Sequence, residues 1–125
     1  MIVGIGLDVL ESARMSRALE RHGERFAARV FTAGERADCR GRNDMAQAYA
    51  ARFAAKEACL KALGTGWSRG LFLKDVEVVR SEGGAPTLRL RGQAAERARE
   101  LGARRYHVSL THQASVAAAV VVLEA

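Results

Sequence analysis

Arg52-Phe-Ala-Ala-Lys-Glu-Ala-Cys-Leu-Lys-Ala-Leu-Gly-Thr-Gly66 decides how the rest of the chain is read. Nearly every residue in it is a good helix former, and Gly64 suits the left-handed turn that ends a helix. At the helical angle, Ala54, Ala55, Ala58, Cys59 and Ala62 fall in one arc of small side chains, which lets another element approach closely. Glu57 and Lys61 stand one turn apart on the edge of that arc. As a surface ion pair they would contribute about 0.3 kcal/mol. As a site they would offer a carboxylate to a metal ion and an ammonium to a phosphate. On spacing alone the ion pair is the simpler reading, and the remainder of the chain has to decide.

Upstream, Met1 to Leu10 reads as a strand with Val3, Ile5, Leu7 and Val9 on one face and Gly4, Gly6 and Asp8 on the other. Glycines aligned on one face mark close approach by another backbone or a ligand. Asp8 therefore ends a cleared face, as a site residue or as a simple turn-former. Ser12 is an expected N-cap for a helix running to about His22, where Gly23 stops it. A second helical stretch follows from Glu24 to Phe31. Across both, Arg14, Arg17, Arg21, Arg25 and Arg29 recur every three or four residues, with only Glu20 and Glu24 opposing them. Such a run is either a solvated face or, with Met15, Leu19 and Phe26 beside it, a docking surface. Thr32 and Glu35 have capping-box spacing, and Asp44 is placed to cap the long central helix.

Downstream, Trp67 and Gly70 mark a loop, and Asp75 to Arg80 and Thr87 to Arg91 form a hairpin through Glu82-Gly-Gly-Ala-Pro86. Gln93 to Leu101 is a helix with Ala94, Ala95, Ala98 and Leu101 inward. Arg105 to Leu110 and Val116 to Leu123 are the last strands, joined by Thr111-His-Gln-Ala-Ser115. The final strand is apolar on both faces, so it should be covered on both: by a helix layer on one side and by another subunit on the other. The expected fold is α+β, one domain over residues 1–125, with helices packed on a mainly antiparallel sheet.

Composition narrows the function classes. A formal charge of +6 points to an acidic partner, whether nucleic acid, anionic membrane, acidic protein or phosphorylated small molecule. No apolar run is long enough to span a membrane, and no secretory signal is recognisable at the N-terminus. Cys39 and Cys59 lack metal or redox spacing and read as reduced thiols of a cytoplasmic protein. A basic nucleic-acid-binding module would explain the charge. It would not explain glycines facing Asp8, and with aromatics at 6% the chain lacks stacking platforms. Neither phosphate-loop pattern, GxxxxGK[ST] or GxGxxG, is present. Ser109 and His112 lie outside any GxSxG elbow, and His107 and His112 have no cysteine pair for zinc. Two carboxylates remain, Asp8 and Glu57, with Lys56, Lys61, Arg52 and His112 as nearby bases. That donor set suits Mg²⁺ and a polyphosphate, hence phosphoryl transfer.

Gly4-Ile-Gly-Leu-Asp8, Phe53-Ala-Ala-Lys-Glu-Ala-Cys-Leu-Lys-Ala-Leu-Gly-Thr-Gly66 and His107-Val-Ser-Leu-Thr-His112 together resemble the three motifs of the phosphopantetheinyl transferases, in their small single-module bacterial form. The resemblance implies transfer of the 4′-phosphopantetheine arm of coenzyme A to a serine of an acyl carrier protein, in fatty acid synthesis. It implies Asp8 and Glu57 as ligands of Mg²⁺ (or Mn²⁺ in its stead), with Glu57 and Lys61 catalytic. It also implies coenzyme A contacts from Arg52, Lys61, Gly64, Thr65, Gly66, Ser109 and His112. Arg14, Arg21, Arg25, Phe26 and Arg29 match the region that docks the acidic helix of the carrier protein. The implied assembly is a homotrimer with sites between subunits, without nucleic acid or membrane as partner.

Overall fold

The computed structural model describes residues 1–65 and 72–125. Gly66, Trp67 and Gly70, singled out above, lie outside the described residues. Chain order gives β1 (Ile2–Glu11), α1 (Ser12–Val30), α2 (Ala33–Cys39) and α3 (Met45–Leu63). A single 3-10 turn (Leu73–Asp75) then leads into β2 (Val76–Arg80), β3 (Pro86–Leu90), α4 (Gly92–Glu100), β4 (Arg105–His112) and β5 (Val116–Glu124). The strands form two antiparallel sheets, β1-β5-β4 and β2-β3. This is the α+β arrangement expected.

Helix α3 is the centre of the molecule. Ala54, Ala55, Ala58 and Cys59 are wholly buried and Ala62 nearly so, as their shared arc predicts. The glycine face of β1 lies directly on them. A methyl group on Gly6 would come within 3.0 Å of three backbone atoms of α3, and one on Gly4 would meet the Ala62 carbonyl. The two glycines thus mark approach by another backbone, and only hydrogen at these positions permits it. Gly64 ends α3 in the left-handed conformation, φ +78°.

Helix α1 is two limbs. Gly23, at φ +54° and ψ −137°, breaks it where the sequence suggests. Thr32 and Glu35 form the full reciprocal capping box, with Thr32 N–H donating to Glu35 Oε1 at 2.9 Å and Glu35 N–H to Thr32 Oγ1 at 3.2 Å. Two expected caps do not form. Ser12 is itself the first helical residue, its N–H tied to the Ser115 carbonyl at 3.0 Å, and its hydroxyl makes no capping bond. Asp44 stands at the N-cap position of α3, but its carboxylate goes to Arg42, at 2.7 and 2.9 Å. A charged partner in reach outcompetes the neutral amide.

The three-stranded sheet has unlike faces. In register, Asp8 aligns with Ala119 and Leu110, and Leu10 with Ala117 and His112, on the inner side against α3. Leu7 aligns with Val120 and Ser109, and Val9 with Ala118 and Thr111, on the outer side. Ile5, Leu7 and Val9 there are more than 60% exposed. The doubly apolar β5 therefore has its helix layer on one side, while its other side continues an open apolar face.

Candidate active site

Asp8 is held by the strand-on-helix contact that Gly4 and Gly6 allow. Its side chain is 16% exposed, and its Oδ1 accepts from Lys61 Nζ at 3.0 Å. The same ammonium donates to the Leu7 carbonyl at 2.9 Å and remains about half exposed. Lys61 therefore joins α3 to β1 instead of serving only the helix surface. Glu57, half-buried, stands one turn before Lys61 on the same edge of α3. Asp8 already has a cation beside it, so its carboxylate is presented where positive charge is accommodated. Among the described residues no group of three or more His, Cys, Asp or Glu is clustered for a metal. Two carboxylates with an open side suit a hard cation that keeps water and phosphate in its shell, and disfavour a closed all-protein cage.

Lys56, counted in the sequence among the bases near a phosphate, is elsewhere. It is wholly buried, with Nζ 2.7 Å from Glu35 Oε1 and bonded to the Leu73 and Val76 carbonyls. Glu35 accepts in turn from the Val78 N–H at 2.8 Å, and Thr32 Oγ1 donates to Glu77 Oε2 at 2.7 Å. Burial pushes the Lys56 ammonium below its ordinary pKa, and Glu35 pulls it back. This pair ties α2, α3 and β2 together, and with no exposed surface it meets no substrate. Removing one partner would strand the other charge in the core, whereas the intact pair is satisfied.

The remaining bases fall into a second group. Arg52 is 3% exposed, donates to the Ala48 carbonyl of its own helix at 3.1 Å, and lies 3.9 Å from Asp38 in α2. His112 belongs to β4 and not to the turn after it. It stands on the inner face with β5 between it and β1, its Nε2 3.6 Å from Asp44 Oδ2. Arg42 holds the Asp44 carboxyl below the usual range. Ser109 points to the outer face, opposite Asp8. Within one chain, then, Asp8 and Lys61 meet, while Arg52, His112 and Ser109 do not join them. Thr65 follows the Gly64 turn at the end of α3.

On α1, Arg14, Arg17, Ala18, Arg21 and His22 line a surface groove of about 230 Å³. Arg14 also walls an apolar cleft of about 150 Å³ formed with Leu10, Met15, Ala18, Phe26 and Phe53. Arg25 and Arg29 are exposed on the second limb. Arg17 belongs to the arginine run read as a solvated or docking face, though not to the docking set that the resemblance implies; Phe53 belongs to neither. Arg17's place in the three-to-four residue arginine spacing was the available signal; Phe53 had none.

The family model described as the 4′-phosphopantetheinyl transferase superfamily matches residues 4–120. The chain belongs to that superfamily. A holo-[acyl-carrier-protein] synthase of Methylobacterium radiotolerans is 58% identical over 129 residues, covering all of this chain and 95% of the relative. One from a strain of Anaeromyxobacter is 54% identical over 127 residues, covering 99% and 97%. Among solved structures, the Neisseria meningitidis synthase superposes with a TM-score of 0.89 at 30% identity, the two chains covered in full. The Helicobacter pylori synthase, in complex with coenzyme A, gives 0.84 at 30% identity over 96% of this chain and 99% of that one.

Proposed function

We infer that this superfamily member is a holo-[acyl-carrier-protein] synthase, moving the 4′-phosphopantetheine arm of coenzyme A onto a serine of apo acyl carrier protein. Adenosine 3′,5′-bisphosphate is the other product, and fatty acid synthesis is the process served. The observation that carries the reading is the Asp8–Lys61 pair, built beside Glu57 on a glycine-cleared contact, in a chain similar over its whole length to synthases of that name.

Asp8 and Glu57 would hold Mg²⁺, or Mn²⁺, which when bound neutralises charge on the pyrophosphate and its leaving group. Lys61, already within reach of Asp8, turns its ammonium to the phosphate under attack and offsets the charge that develops there. Glu57 takes the proton of the carrier serine as its oxygen bonds to phosphorus. The bond from that phosphorus to the bisphosphate oxygen breaks, and the electron pair leaves with adenosine 3′,5′-bisphosphate. Coenzyme A lies along Arg52, Gly64, Thr65, Gly66, Ser109 and His112.

Of these, Ser109 lies on the outer side of the sheet and His112 on the inner side, so the site is completed by a second copy. The open apolar face of Ile5, Leu7, Val9, Ala118 and Val120 supports such an assembly, and three copies is the state we assign. Arg14, Arg21, Arg25, Phe26 and Arg29, joined by Arg17 and the cleft beside Phe53, dock the acidic carrier. No described helix is long and apolar enough to cross a membrane. The unpaired thiols Cys39 and Cys59 suit a cytoplasmic location.

The test is incubation with coenzyme A, Mg²⁺ and an apo carrier protein, read by intact mass. Wild type should add one phosphopantetheine. Asp8→Asn and Glu57→Gln should each lose most of the rate while melting like wild type, and the double variant should be hardly worse. Full activity of Asp8→Asn, or of wild type in a chelator, would reject the two-carboxylate site.

A further inference from the structure

An anion at the carboxyl end of a helix meets partial negative charge, roughly half an elementary unit, from unpaired carbonyls. The segment after Leu63 is therefore, by its helix alone, a poor place for coenzyme A and its phosphates. The structure supplies a correction from a distant element. Arg97 of α4 reaches across to the end of α3, where its Nε donates to the Leu63 carbonyl at 2.9 Å. Its Nη2 faces Gly64, 3.7 Å from where a methyl on that glycine would lie. Nη1 lies 3.3 Å from Glu100 Oε1, which holds the guanidinium from the other side. The side chain is 26% exposed, so the cation is fixed in place without being sealed from solvent.

We propose that Arg97 is a positioning residue for coenzyme A: it locks the left-handed turn at Gly64 and sets a guanidinium, itself paired with Glu100, against the partial negative charge at the carboxyl end of α3. Resting on the reading of function above, this adds a substrate-positioning residue from α4, outside all three motifs. A backbone turn with φ +78° is rigid only if its flanking carbonyls are satisfied. Arg97 does that for Leu63, and its charge remains to act on whatever approaches Gly64. A neutral donor could perform the first task and not the second.

That distinction gives the experiment. Arg97→Gln keeps a side-chain N–H for the Leu63 carbonyl and removes the charge. Arg97→Lys keeps the charge, and Arg97→Met removes both. Binding of coenzyme A and of phosphate-free pantetheine is measured by calorimetry on each folded, assembled protein, together with the Michaelis constants for coenzyme A and for carrier protein. Arg97→Gln and Arg97→Met should both weaken coenzyme A about fivefold, the size of a helix-end charge effect. Arg97→Lys should stay near wild type, while pantetheine binding and the carrier constant are unchanged throughout. If Arg97→Gln binds coenzyme A as wild type does, and only Arg97→Met melts lower, Arg97 is a structural cap and the inference is overturned. A wild-type protein that binds no coenzyme A overturns the reading of function, and this inference with it.

Discussion

Gly6→Ala tests the strand-on-helix contact that everything at the site depends on. The added methyl would sit 2.9 Å from the Ala58 carbonyl carbon and 2.8 Å from the Ala62 amide nitrogen, closer still to the Ala58 oxygen. Real Cβ contacts essentially never fall below 3.0 Å, so β1 must retreat from α3 by about 1 Å. All three obstacles are helix backbone, which no rotamer change can move. The cost belongs at the upper end of overpacking, about 3 kcal/mol, or roughly 10 °C in melting temperature for a chain of this size. Asp8 lies two residues further along the same strand, with its 3.0 Å bond to Lys61 across the contact. A shift of that size at a reacting centre lowers rates by about a hundredfold. Thermal unfolding by circular dichroism and transfer followed by intact mass read the two effects. Gly4→Ala should do less on both counts, because only the Ala62 oxygen lies inside 3.0 Å and the next atoms stand at 3.2 Å. A Gly6→Ala protein that melts and transfers like wild type would refute the contact as the origin of the site.

Other consequences are open to measurement. Reversing Arg14 and Arg21 to Glu should raise the Michaelis constant for carrier protein about tenfold at low salt, leaving coenzyme A binding alone; equal kinetics would make the groove an ordinary solvated surface. Placing arginine at Val9, 61% exposed on the outer face, should leave monomers in light scattering if that face is where copies of the chain meet, and loss of transfer should accompany it. The buried thiols set an alkaline limit. Burial pushes Cys59 up to about 12 and Cys39 up to about 11, from an ordinary 9.0. The folded state thus keeps protons that the unfolded chain releases. Their stabilising contribution is complete below pH 9 and is lost as pH rises towards 11 and 12. By pH 10.5 Cys59 alone should account for about 2 kcal/mol, seen as a fall in urea midpoint that Cys59→Ala does not share. An unchanged pH profile in Cys59→Ala would count against the thiol as cause.

Much of this was written in the sequence because it is local. The small-residue arc of α3, the glycine face of β1, the break at Gly23, the capping box at Thr32 and Glu35 and the turn at Gly64 all depend on residues within a few positions of each other. Backbone periodicity and φ preferences settle them without knowledge of any distant partner. Two lysines of α3 show where that legibility ends. Lys56 and Lys61 look alike in sequence, yet one is sealed against Glu35 and the other reaches Asp8 in solvent. Which face of α3 meets β1 and which meets α2 is decided by burial of the whole helix. The same holds for Ser109, turned away from Asp8 by the register of β4 on β5, and for Asp44, drawn from its cap by Arg42. Arg97 is the plainest case, since its partner Leu63 lies at the end of another helix. Charges and hydrogen bonds act over a few ångströms of space and carry no memory of distance along the chain. The motifs could therefore name the chemistry, while the tertiary structure alone decided which charges stand beside it.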